Sequence, residues 1–105
     1  MDKVLSLLGL AKKAGKCASG GFQTDSAIKA GTAKLCIAAE DASERTVKQY
    51  RDACTFYKVP FVIYGTKDIL GHAMGQEARS GMAVLDEGFA EAILKNIRKG
   101  KTEKE

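Results

Sequence analysis

The residues best placed to do chemistry are Gly20-Gly21-Phe22-Gln23-Thr24-Asp25-Ser26 and the lysines that flank them. This stretch opens a short helix, and the first turn of a helix offers unpaired N–H groups and the positive end of its dipole, a ready site for phosphate. Gly20 and Gly21 remove side chains at that point, so a polyanion backbone can approach closely. Gln23 has the donor and acceptor needed for a base edge, and an exposed Phe22 can stack on an unpaired base. The competing reading of Phe22 is a core residue shared with Ile28. Lys12, Lys13 and Lys16 precede the helix, and Lys29 and Lys34 follow its start. As cations in a last helical turn, Lys12 and Lys13 equally suit the dipole of the preceding helix.

Other constellations give less. No Ser/His/Asp or Cys/His set has a recognisable context. Gly15-Lys16 and Gly20-Gly21 lack both the Gly-Lys-Ser/Thr ending of a phosphate loop and the Gly-x-Gly-x-x-Gly of a dinucleotide site. Glu40-Asp41 lies at a strand end, where α/β proteins bind ligands, but adjacent residues point apart, and Asp41 is expected to hydrogen-bond local backbone. His72 is expected to be structural or exposed. Cys17, Cys36 and Cys54 with His72 lack the paired spacing of a zinc site, and Cys36 reads as a core residue.

The elements that must position the glycine-led helix follow from periodicity. Val4, Leu7, Leu8 and Ala11 give one apolar face to a helix over residues 2–14, with Asp2 at its start and Gly15 at its end. Residues 16–19 are an edge strand. The helix over 21–30 ends at Gly31. Leu35-Cys36-Ile37-Ala38-Ala39 is unbroken and apolar, as a strand covered on both faces should be. Ser43 caps a helix from Glu44 to about Phe56, with Val47, Tyr50, Cys54 and Tyr57 as its core stripe. A strand follows over 59–64, with Pro60 at its start. Then come a short helix over 67–74, a polar loop over 76–81, a strand over 82–85 and a helix from Glu87 to Arg98. Strands alternating with helices imply an α/β fold, a three-layer α/β/α sandwich around a mixed sheet of about four strands.

The 105 residues suit one domain, read as 1–99, with a flexible charged tail at 100–105. A composition 45% hydrophobic and 29% charged supports a core. No apolar run approaches the ~20 residues of a membrane span, and the N-terminus lacks signal-peptide layout, so a cytoplasmic protein without membrane contact is expected. The net charge of +4 favours a polyanionic partner.

The chain also resembles the L7Ae/L30e family of ribosomal proteins, which bind kink-turn RNA, and is most similar to its small bacterial YlxQ-type members. The resemblance rests on Leu8-Gly9-Leu10-Ala11-Lys12-Lys13-Ala14-Gly15-Lys16, Gly20, Ala27-Ile28-Lys29-Ala30-Gly31, Ala33-Lys34-Leu35-Cys36-Ile37-Ala38-Ala39-Glu40-Asp41-Ala42-Ser43, Val59-Pro60-Phe61 and Leu70-Gly71-His72-Ala73-Met74-Gly75. It runs in order from about Val4 to Ile97. It implies the same sandwich, no catalysis and no cofactor. It also implies an RNA edge at the start of the second helix: Ser19, Gly20, Gly21, Phe22, Gln23 and Ser26, with Lys29 on the same helix. Asp41, Ser43 and Val47 would border the edge, Lys67 would lie near the RNA backbone, and Gln76, Glu77, Ala78 and Arg79, continuing to Gly81, would cover an extruded nucleotide. The family pattern has Asn-Glu where this chain has Phe22-Gln23, and Lys where it has Ser26. The expected partners are structured RNA and ribosomal or translation proteins, with the protein a monomer. Two alternatives stay open. One is a protein-interaction or structural module that keeps the fold without kink-turn specificity, which a neutral rim around residues 19–26 would favour. The other is a small enzyme, which needs a concave pocket at Asp41.

Overall fold

The computed structural model describes the backbone of residues 2–104 and the side chains of residues 2–99. Helix α1 (Lys3–Lys13) begins where the Asp2 carboxylate accepts hydrogen bonds from the amides of Val4 and Leu5. Gly15 follows its end at φ 71°. Strand β1 (Cys17–Ser19) leads into α2 (Gly21–Lys29), and Gly31 at φ 78° turns the chain toward β2 (Leu35–Ala38). Ser43 caps α3 (Glu44–Tyr57) by accepting from the Thr46 amide. Strand β3 (Phe61–Ile63), helix α4 (Lys67–Ala73, capped by Thr66), strand β4 (Gly81–Val84) and helix α5 (Glu87–Lys104) complete the chain.

The sheet order is β1-β4-β2-β3, with β4 antiparallel to both neighbours and β2 parallel to β3. This is the expected mixed sheet. Strand β2 is fully buried, and its alternation divides the core. Leu35, Ile37 and Ala39 pack with Val4 and Leu8 of α1, Leu70 of α4 and Ile93 and Ile97 of α5. Cys36 and Ala38 pack on the other face with Ile28 of α2 and Tyr50 and Cys54 of α3. The result is an α/β/α sandwich, with α2 and α3 as one layer and α1, α4 and α5 as the other.

Three expectations need correction. Strand β4 begins at Gly81, because Gly81 pairs with Ala38 in the ladder. Tyr57 is 42% exposed and leaves the core stripe. It is the last helical residue before Lys58 turns left-handed at φ 59°, and its ring meets exposed Phe56 edge-to-face at 4.9 Å. Helix α5 continues past Arg98 to Lys104. The side chains of the tail at 100–105, and Glu105 altogether, lie outside the described residues.

Candidate nucleic-acid interface

Helix α2 starts without a side-chain cap. Its N-cap is Gly20 at φ 92°, ψ 158°, a conformation that suits glycine alone. By contrast, Asp2, Ser43 and Thr66 cap α1, α3 and α4, and Asp86 accepts from the Phe89 amide at the start of α5. The amides of Gly21, Phe22 and Gln23 precede the first intrahelical bond, from Thr24 N to Gly20 O, and so face outward. Phe22, Gln23 and Ser26 are all exposed, and Ser26 is a surface neighbour of both others at spacings of three and four. Phe22 is 85% exposed, so it is not the core partner of Ile28, which is fully buried.

The loop over residues 76–80 comes to the same end of the sheet and is tied there. The Ser19 hydroxyl donates to Gln76 Oε1 at 2.6 Å, and the Gly20 amide donates to Gly81 O at 3.3 Å. The Ala39 amide donates to Ser80 O, and the Arg79 amide to Lys67 O. Asp41 Oδ1 accepts from the Lys67 amide at 2.8 Å. Asp41 therefore bonds backbone, as expected, but on α4 rather than locally. The Arg79 guanidinium folds back onto the carbonyls of Glu77 and Ala78, at 3.3 and 3.0 Å. Ser19, Gly20, Gly21, Phe22, Gln23, Ser26, Asp41, Lys67, Gln76, Glu77, Ala78 and Arg79 thus border one edge. Ser43 and Val47 stand beside it in the first turn of α3.

Two glycines away from the edge shape it. A Cβ on Gly71 would overlap the carbonyl of Glu77, so the loop rests directly on α4. A Cβ on Gly81 would lie 2.5 Å from Cε2 of Tyr50, whose buried ring lies across the start of β4. Burial raises the Tyr50 phenol above its ordinary value, with Ser80 and Thr24 beside it moderating the shift. Sequence periodicity marks Tyr50 as core but carries no signal that it supports this edge. Glycine at 71 inside an expected helix is the available clue, whereas Gly81 reads in sequence as the end of a polar loop.

The flanking lysines are not where their sequence proximity suggests. Lys16 precedes β1, and its carbonyl accepts from Leu85 N beyond the far end of β4. The Lys34 amide donates to Val84 O at that same end. Lys12 and Lys13 end α1 just before it. A strand of β1's length therefore separates this basic pole from Gly20, about 10 Å. Lys29 also stays apart, in the last turn of α2 some ~13 Å along the helix, where it is paired with Asp25 at 3.0 Å. The rim of the edge itself is close to neutral, with Lys67 and Arg79 set against Asp41 and Glu77.

Two grooves flank these elements. One, about 980 Å³, lies between α1 and α4 beside Leu10, Ile69 and exposed His72. The other, about 630 Å³, lies between α2 and α3 and includes Gly21 and Phe22. Neither of these two grooves is lined by Asp41. Cys17, Cys36 and Cys54 are free and buried. Burial pushes the Cys17 thiol up to about 11, and the hydrogen bond to Cys54, then burial, raise Cys36. Neither is a ready nucleophile. Among the described residues no cluster of three or more His, Cys, Asp or Glu could hold a metal ion. Among them, too, no helix is long and apolar enough to cross a membrane.

Comparison with known proteins places this geometry. Residues 2–94 match the model of the ribosomal protein L7Ae/L30e/S12e/Gadd45 family. The RNA-binding protein YlxQ of Bacillus subtilis strain 168 is 42% identical over 88 residues, covering 84% of this chain and 88% of that protein. The RNA-binding protein YlxQ of Enterococcus faecium is 36% identical over 90 residues, covering 85% of each. A solved structure of a protein of unknown function from Bacillus halodurans C superposes with a TM-score of 0.90 at 35% identity, over 93% of this chain and 99% of that one. The Giardia lamblia 15.5kD RNA binding protein shares the fold at a TM-score of 0.77 and 22% identity, over 93% of this chain and 84% of that one.

Proposed function

This chain belongs to the ribosomal protein L7Ae/L30e/S12e/Gadd45 family, and on that premise we propose that it is a non-catalytic RNA-binding protein of the cytoplasm. It docks the start of α2 on kinked, kink-turn-like or internal-loop RNA. The carrying observation is that α2 is the uncapped helix, opened by Gly20 and Gly21 and bordered by the tied loop over 76–80. Its free amides donate to phosphate or a base edge, Gln23 reads a base edge, and the loop covers an unstacked nucleotide. The protein binds as a monomer, and structured RNA brings it beside ribosomal or translation proteins.

A gel-shift titration against a kink-turn, with and without its tandem sheared G·A pairs, tests this. Tighter binding to the intact kink-turn supports docking on a bend. Equal weak binding with a steep salt slope reduces the function to phosphate contact. No binding at low salt refutes it. The near-neutral rim favours a second reading, a module that keeps the fold and uses exposed Phe22 as an anchor for a protein partner.

A further inference from the structure

We propose that the groove between α2 and α3 is a pocket for one unpaired base of the bound RNA, with Phe22 as its stacking wall; this rests on the RNA-binding reading above. The groove is continuous with the edge through Gly21 and Phe22 and has a volume of about 630 Å³. Its composition selects the occupant. Phe22 presents a ring that is 85% exposed, and every base has a π-face to lay against it. Gln49, on the α3 side, supplies a donor and an acceptor, and the hydroxyls of Tyr50 and Ser80 add two more groups able to do both. Asp25 and Asp52 also line the groove. Each is paired with a lysine at 3.0 Å, Lys29 and Lys48 respectively. Asp25 and Asp52 outnumber Lys29 among the charged residues lining the groove, so it is a poor seat for phosphate, whereas a neutral base with N–H donors suits acceptors of this kind. The first turn of α2 thus faces the RNA bend with its amides and the neighbouring groove with Phe22.

The test is a binding titration by fluorescence anisotropy with a kinked internal-loop RNA, repeated with each unpaired nucleotide made abasic in turn. The wild-type protein should lose roughly tenfold in affinity at one abasic position, the scale of one base–aromatic stack. Phe22→Ala should bind the intact RNA as weakly as wild type binds that abasic RNA, and be insensitive to the same abasic change. Phe22→Trp should restore the difference. The proposal is overturned if wild type binds all the abasic RNAs as tightly as the intact one, the result expected of a groove built for a protein segment. It is equally overturned if Phe22→Ala keeps the wild-type profile. Failure of wild type to bind any of these RNAs at low salt overturns the underlying RNA-binding reading, and this proposal with it.

Discussion

Gly20 and Gly21 are adjacent yet physically different residues. Gly20 sits at φ 92°, where any other residue is strained by about 1–3 kcal/mol. Gly21 is helical, and a Cβ there would meet only the Tyr50 hydroxyl, at 3.9 Å. Gly20→Ala should therefore lower stability by about that amount in urea melts. Gly21→Ala should be neutral or stabilising by up to ~1 kcal/mol, while weakening RNA binding because it adds bulk at the edge. If both variants melt alike, the backbone assignment at Gly20 is wrong. A second pair, Asp2 and Tyr64, joins the start of α1 to the end of β3, with the phenol donating to the carboxylate. The Tyr64 phenol ordinarily ionises near 10 and is pushed up to about 12, first by burial and then by that hydrogen bond. The folded state thus holds this proton more tightly than the unfolded chain. The stability it contributes is intact below pH 10 and is lost as pH rises toward 12. Asp2→Ala should move one tyrosine's ionisation, followed at 295 nm, back toward 10. The same variant should cost about 1 kcal/mol through the lost cap.

The elements share one design: the end of β1, the end of β2, the start of α4 and the loop over 76–80 are joined by single hydrogen bonds at one edge of the sheet. Gly71 is where the loop backbone packs directly on α4. In an exposed helix, Gly→Ala would stabilise by roughly 0.5–1 kcal/mol. Here the new methyl would overlap the Glu77 carbonyl, which is backbone and cannot rotate away. Gly71→Ala should instead destabilise by about 1–3 kcal/mol. It should also speed amide hydrogen exchange at Gln76 and Arg79, whose N–H groups bond Gly71 O and Lys67 O. Unchanged exchange at both amides would show that the loop does not depend on this contact.

At the scale of the whole molecule, charge and the candidate edge are separated. Lys12, Lys13, Lys16 and Lys34 gather at the starts of β1 and β2, whereas the edge lies at the ends of these strands, with Lys67 and Arg79 balanced by Asp41 and Glu77. Binding through the edge should therefore release few counterions. A plot of log affinity against log salt should have a slope of about −2, since each neutralised phosphate contributes roughly −0.7 to −0.9. The triple variant Lys12→Gln, Lys13→Gln, Lys16→Gln should bind within about twofold of wild type at 0.15 M salt, where the Debye length is ≈ 8 Å. A slope of −5 or steeper, or a tenfold loss in the triple variant, would move the RNA to the basic pole.

The sequence alone was enough for the sandwich. Val4, Leu8 and Ala11 at helical spacing, unbroken Leu35–Ala39, and glycines 15 and 31 at turns are local signals, and local sterics and burial act on them directly. It also located the glycine-led start of α2, because an absent side chain is visible without a fold. Proximity in sequence misled for the lysines. A strand carries Lys16 a full element away from Gly20, and the antiparallel β4 then draws the loop over 76–80, some sixty residues on, against Ser19. Local pattern also missed Tyr57, whose spacing fits the core stripe but which lies where the helix ends. The Tyr50 ring over Gly81, the loop seated on Gly71 and the exposure of Phe22 depend on which elements meet. Such contacts join residues distant in the chain, so periodicity cannot encode them, and only the packed sheet with its two helical layers decides them.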